Sequence, residues 1–202
     1  MLTTIGRLYD AYTDANRVML LLEVSGVPLS DTSLISNNCD AWYRGPARPN
    51  VVPLRRRGEN SDAGTRIENS PIGATAATAS LITILAVPGV GPVIGAGWLA
   101  AMLSSIAIGG ATGGLLGALT NVGINEVDAQ VLVEVVRRGG TLVATRVPQE
   151  DAPRVGAVMN RGAVNLAERG ELYRKAGWLS FDPNAPPYTA DQVRCERALH
   201  AR

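Results

Sequence analysis

The stretch PVIGAGWLAAMLSSIAIGGATGGLLGALT, residues 92–120, decides how the whole chain is read. Every fourth residue from Gly97 is small: Gly97, Ala101, Ser105, Gly109, Gly113 and Gly117. On one helix those six positions share a face, and a face without side chains lets a second helix approach closely. Four glycines inside a helix cost roughly 3–4 kcal/mol relative to alanine, so close packing has to offset them. The expectation is a long apolar helix over 93–119. A shorter one precedes it over 74–87, and the turn Pro88-Gly89-Val90-Gly91-Pro92 joins the two into an αα-hairpin.

Outward from this stretch, the absence of charge is the next fact. No Asp, Glu, Lys or Arg occurs between Glu68 and Glu126, and half of the 22 Gly lie between Gly73 and Gly123. The second helix is long enough for a bilayer, which needs about 20 apolar residues; the first, over 74–87, is short. Two settings fit: insertion into a membrane, or a shared core inside a soluble oligomer, since so large an apolar surface does not stay bare in water. Self-association is common to both.

On either side the periodicity becomes that of small β-α-β units. TTIGRLY (3–9) reads as a strand. Asp10, Thr13 and Asp14 are N-cap candidates for a helix from Asp14 to Val24, whose apolar face is Ala15, Val18, Met19 and Leu22. Gly26 and Pro28 stop it, and DTSLIS (31–36) is a second strand. After the hairpin, Asn125 caps a helix to Arg138 with Asp128 at its third position. TLVATRV (141–147) alternates as a strand, a helix capped by Asp151 covers 152–160, and AVNLAE (163–168) reads as a last strand. Thr189 caps a final helix over 190–201.

The expected fold class is α+β, a ferredoxin-like pair of β-α-β units interrupted by a hydrophobic glycine-rich αα-hairpin. Its parts are the first half (1–43), a basic linker (44–70), the hairpin (71–123), the second half (124–170) and a proline-containing tail (171–202).

The linker carries Arg44, Arg48, Arg55, Arg56, Arg57 and Arg66 against Glu59, Asp62 and Glu68. Arg55, Arg56, Arg57 and Arg66 are the candidate contacts to an anionic surface, either lipid headgroups or, weakly, a nucleic-acid backbone. A formal charge of +1 argues against a whole surface built for nucleic acid. Met1 to Asp10 has no basic segment followed by an apolar run, so no secretory signal is expected there.

Catalytic chemistry finds little to work with. Cys39 and Cys195 match no metal or redox spacing, and the single His, His200, is expected to be a solvated tail residue. Gly89-x-Gly91 and the glycines at 109–114 lack the Lys-Ser/Thr of a phosphate loop. Asp10, Asp14 and Asn37 are weak candidates for a ligand site, with capping as their local role. No cofactor and no metal are expected.

The opening TTIGRLYDAYTDANRVMLLLEVSGVPLSDTSLISNN (3–38), the middle AVPGVGPVIGAGWLAA (86–101), RRGGTLV (137–143) and the tail GWLSFDPNAPPYTADQVRCER (177–197) together resemble the bacterial general stress proteins with a heat-induced stress protein domain. The marks in the opening are Asp10, Asp14, Ala15, Leu21, Gly26, Val27, Pro28, Asp31, Ser33 and Leu34. Cys39 and the arginine triplet depart from the pattern. The resemblance implies stress-linked expression and membrane or self-assembly behaviour, and no reaction or catalytic residue. The expected function is therefore a non-catalytic stress-associated protein that self-assembles at the cytoplasmic side of the bacterial inner membrane; a soluble cytoplasmic oligomer serving as a sensor or binding module is the alternative.

Overall fold

In the strand 141–148, Leu142 and Ala144 face one hydrophobic cluster while Val143 and Val147 face another, so helices have to cover both sides of the sheet. A computed structural model describes residues 1–43, 82–109 and 114–200. The described elements are β1 (Leu2–Tyr9), α1 (Tyr12–Val24), a short 3-10 turn (Leu29–Asp31), β2 (Thr32–Asn37), β3 (Thr83–Val87), β4 (Gly91–Ala96), α2 (Trp98–Gly109), α3 (Gly114–Asn121), α4 (Glu126–Arg137), β5 (Thr141–Pro148), α5 (Ala152–Met159), α6 (Leu166–Lys175) and α7 (Ala190–His200).

These elements make a mixed α+β protein with a five-stranded sheet in the order β1-β5-β2-β4-β3, every neighbouring pair antiparallel. Because β1 and β2 both run against β5, they are parallel to each other. The unit β1-α1-β2 is a β-α-β whose strands are parted by β5. Tyr9, Leu34, Val143 and Val147 pack against Ala15, Val18 and Leu22 of α1 and Val155 and Met159 of α5. On the other face Leu8, Ile35, Leu142 and Ala144 meet α2, α3, α4 and α6. Each fully buried aliphatic side chain contributes about 1.5–3 kcal/mol.

The expected αα-hairpin is corrected by this sheet from residue 83 onward; residues 74–81 of its expected first helix lie outside the described residues. Residues 83–96 form a β-hairpin, with Ile84 opposite Ile94 and Leu85 opposite Val93. An uninterrupted apolar run does not distinguish a buried strand from a helix by periodicity. The β-branched Thr83, Ile84, Val87, Val93 and Ile94, with Pro92 between them, favour the strand. The outer edge of β2 supplies the pairing partner for β4.

The ferredoxin-like pairing of two halves is not what the sheet adopts either. Of the expected second unit, α4, β5 and α5 are present and α4 begins at Asn125, whose side chain accepts from Val127 N at 2.9 Å. Residues 163–165 pass the edge of β1 instead of forming a strand, with one bond from Val164 N to Leu8 O at 2.8 Å. Asn165 then caps α6 by accepting from Ala167 N and Glu168 N. An Asn two residues before Ala167 is a helix start, and that signal wins over the short alternation in AVNLAE. At the far end Thr189 and Gln192 form a reciprocal cap, Gln192 N donating to Thr189 Oγ1 at 3.3 Å and Thr189 N to Gln192 Oε1 at 2.9 Å.

The expected glycine stripe is not continuous. Gly97 lies before α2 in the left-handed backbone region (φ 83°), Gly114 reopens the chain at α3, and Gly113 lies outside the described residues. Ala101 is exposed on α2, Ser105 and Gly109 belong to the same helix, and Gly117 sits on the separate α3. Gly89 and Gly91 serve the tail: a Cβ on Gly89 would meet Pro183 Cα at 2.8 Å, and one on Gly91 would meet Pro187 Cβ at 2.9 Å. Among the described residues no helix is long and apolar enough to cross a membrane.

One buried hydrogen bond ties the sheet to α5. Tyr9 Oη donates to Met159 O at 2.5 Å. Tyr9→Phe keeps the ring but leaves that carbonyl unpaired, and is expected to cost about 1–2 kcal/mol in urea unfolding. A variant as stable as the parent would mean that water replaces the hydroxyl.

Candidate functional site

The carboxyl ends of β1 and β2 point the same way with the start of β5 between them, and a cleft of about 860 Å³ opens there. Its floor is Ser36 and Thr141, whose hydroxyls are 2.8 Å apart. One wall is the first turn of α1 with Asp10 to Asp14; the opposite wall is the 162–165 loop with α6; Arg197 and His200 of α7 close the third side.

Asp10 follows β1 directly. It accepts two bonds from Arg169 Nη2, at 2.9 and 3.0 Å, which joins the β1–α1 connection to α6. Arg169 is only 8% exposed, so this pair is largely shielded from water. Arg197 is more fully engaged: Nε donates to Gly139 O at 2.9 Å, Nη2 to Asn37 O at 2.9 Å, and Nη1 to Asp40 Oδ2 at 2.5 Å. It therefore pins α7 to the ends of β2 and α4. Burial pushes this guanidinium below its ordinary range, with Asp40 opposing the shift.

Tyr12 and Trp42 form an aromatic corner at the mouth, ring centroids 4.7 Å apart and planes at 51°. The Trp42 indole N–H is held by Asn37 O at 2.8 Å. The Tyr12 phenol is pushed up, first by burial and then by the neighbouring Tyr43. The first turn of α1 carries no side-chain cap: Ala11 stands at the N-cap, and none of the expected Asp10, Thr13 or Asp14 fills that role.

His200 is corrected from solvated tail residue to cleft wall. Its side chain is 26% exposed, with Nε2 3.7 Å from Glu196 Oε2. Burial lowers its pKa below the ordinary 6.5; Arg169 acts in the same direction, while Asp10 and Glu196 oppose. As the pH falls through the ordinary His range, the unfolded chain takes up its proton before the folded chain does. The contribution of a neutral His200 is thus whole above that range and lost on acidification. His200→Gln is expected to lose less stability than the parent between about pH 7 and about pH 5 in urea melts. Equal slopes would place the imidazole in water.

Of the weak ligand-site candidates, Asp10 and Asp14 reach the cleft, whereas Asn37 is held internally, its amide donating to Arg137 O and its carbonyl accepting from Cys39 N. Arg55, Arg56, Arg57 and Arg66 lie outside the described residues. Sequence reasoning missed Trp42, Glu168, Arg169 and Arg197. For α7 a signal existed: Val193, Arg197 and His200 fall on one helix face, and Val193 is fully buried. No group of three metal-ligating side chains occurs among the described residues. Compared with known proteins, the chain matches no protein-family model, no curated protein and no solved structure.

Proposed function

We propose that this chain is a non-catalytic binding module of the general-stress type, holding a small polar molecule in the cleft at the carboxyl ends of β1 and β2. The observation that carries the reading is the convergence there of an uncapped helix start, an aromatic corner and a shielded Asp10–Arg169 pair. Arg169 and Arg197 are bonded to protein carboxylates and carbonyls, an arrangement that fixes the walls of the cleft. The stress-protein character rests on the sequence motifs given above.

Trp42 offers a direct readout. In a Trp98→Phe, Trp178→Phe chain it is the sole tryptophan, since the protein has three Trp. Titration with glycine betaine, choline, acetate and adenosine monophosphate is expected to give a saturable change with at least one of them. No change with any of the four would remove the cleft as a binding site.

A second reading, self-association, draws on the outer strand β3, where Ile84 is 56% exposed, with Ile82 just before it 38% exposed and no charge interrupting residues 82–87. An uncharged apolar edge is a pairing surface. Ile84→Lys is expected to convert an oligomer to monomer in sedimentation; a parent chain that is already monomeric sinks this reading. Attachment to an anionic membrane, or weak nucleic-acid contact, rests on the four linker arginines. Flotation with anionic vesicles, compared between the parent and an Arg55→Ala, Arg56→Ala, Arg57→Ala chain, decides it.

A further inference from the structure

We propose that the outer edge of β3 pairs antiparallel with β3 of a second copy of this chain, about a two-fold axis at Ile84, so that two sheets become one. The dimer presupposes the self-association reading and gives it a partner and a register. Hydrogen-bond phase shows which groups the edge offers. Asn38 N donates to Pro92 O at 2.9 Å, so Pro92 turns its backbone away from β3. Direction alternates along an antiparallel ladder, so Gly91, Val93 and Gly95 are the residues that turn toward Val87, Leu85 and Thr83. Ile84 and Ala86 therefore send N–H and C=O outward, where no strand among the described residues meets them. Both side chains are exposed, as is that of Ile82 in the same alternation just before the strand.

The opposite edge of the sheet is closed to such pairing. Leu8 O accepts from Val164 N at 2.8 Å where residues 163–165 pass β1, and Gly6 O accepts from Arg7 Nη1 at 2.8 Å. A crossing segment and a cationic side chain both guard an edge. With one open edge per chain, pairing closes at two copies and no filament grows. Charge selects a second copy as the occupant. Near a two-fold axis each residue meets its own copy, so any charge there would face a like charge and oppose pairing. No Asp, Glu, Lys or Arg occurs between Glu68 and Glu126, a stretch that runs well past both ends of β3. An axis at Ile84 sets Ile84 against Ile84 and Ile82 against Ala86 in bonded pairs, about six hydrogen bonds in all. An axis at Leu85 or Ala86 would bring Pro88, a turn residue without an N–H, into the bonding position opposite Ile82 or Ile84.

Sedimentation and disulfide trapping on the full chain separate the outcomes, the trapping in a Cys39→Ser, Cys195→Ser background with copper phenanthroline as oxidant. The parent is expected to be dimeric at about 100 µM, and Ile84→Lys monomeric with an unchanged circular dichroism spectrum. Ile84→Cys should form a covalent dimer, because the Cα atoms of a bonded pair stand about 5.5 Å apart, within disulfide reach. Ala86→Cys alone should not, its two copies lying roughly 14 Å apart, but it should when mixed with an Ile82→Cys chain. Val24→Cys, at a position 86% exposed on α1, measures trapping by random collision. A dimer that survives Ile84→Lys, with Ile84→Cys trapped no better than Val24→Cys, overturns pairing through β3 while self-association stands. Trapping of Ala86→Cys alone overturns the register, and species that keep growing with concentration overturn the two-fold closure. A parent that is monomeric at about 100 µM removes this dimer and the self-association reading together.

Discussion

Gly97→Ala is expected to destabilise the protein by roughly 3–5 kcal/mol, through two effects at one atom. The residue has φ 83°, a conformation that costs a side-chain-bearing residue about 1–2 kcal/mol. The added Cβ would also overlap the Thr32 carbonyl oxygen and lie 2.6 Å from Ser33 Oγ and 2.9 Å from Ser33 Cα. Those atoms are fixed, because Ser33 Oγ accepts from Leu99 N at 2.8 Å and so sets the start of α2. Gly117→Ala is the control. It lies within α3, nothing among the described residues stands within 4 Å of its added Cβ, and alanine there is expected to stabilise by about 0.5–1 kcal/mol. If six small residues formed one helix-packing groove, the two variants would behave alike. Urea unfolding of both chains, with sedimentation for oligomer size, is the measurement; similar losses for both would restore the groove.

The second large effect is expected at Glu134. This carboxylate is 0% exposed, and it accepts from Arg138 Nε at 2.7 Å and Arg137 Nη1 at 3.3 Å. Breaking a buried pair from one side leaves the other charges uncompensated, so Glu134→Ala should cost about 3–5 kcal/mol. The damage should reach the tail. Arg138 also bonds Glu196 Oε1 of α7 at 3.3 Å and lies 4.0 Å from the centre of the Tyr173 ring, and Arg137 donates to Pro186 O at 2.9 Å. Faster tryptic cleavage at Arg194 and Arg197 is therefore expected, together with a non-additive Glu134→Ala, Arg138→Ala double variant. Additive losses and an unchanged cleavage rate would mean that the tail is held by its apolar contacts, chiefly Val193 and Phe181.

These two sites also mark what the sequence carried and what it did not. The β1-α1-β2 unit, α4, β5, α5 and α7 follow from local signals: Ala15, Val18 and Leu22 at helical spacing, the Asn125 cap, the alternation of residues 141–147 and the Thr189 cap. Each is written within about a dozen residues. Asp10 and Asp14 were legible as polar residues at a strand end, although nothing nearby announced Arg169 as the partner of Asp10, 159 positions away. The same holds for Arg197 and Asp40.

The apolar middle was undecidable locally. A run without charge satisfies a helix, a membrane span or a doubly covered strand equally, and the small residues that suggested one groove have different surroundings: Thr32 and Ser33 crowd Gly97, whereas Gly117 has open space among the described residues. Only the free edge of β2, and the need to pair its backbone groups, selected strands for 83–96. The sequence by itself determined the local elements and their apolar faces, because caps and periodicity act over one or two turns. The tertiary structure decided the strand order, the break before α2 and the convergence of Asp10, Trp42, Arg169 and His200 on one cleft, because hydrogen-bond pairing and charge burial are settled between residues that are distant along the chain.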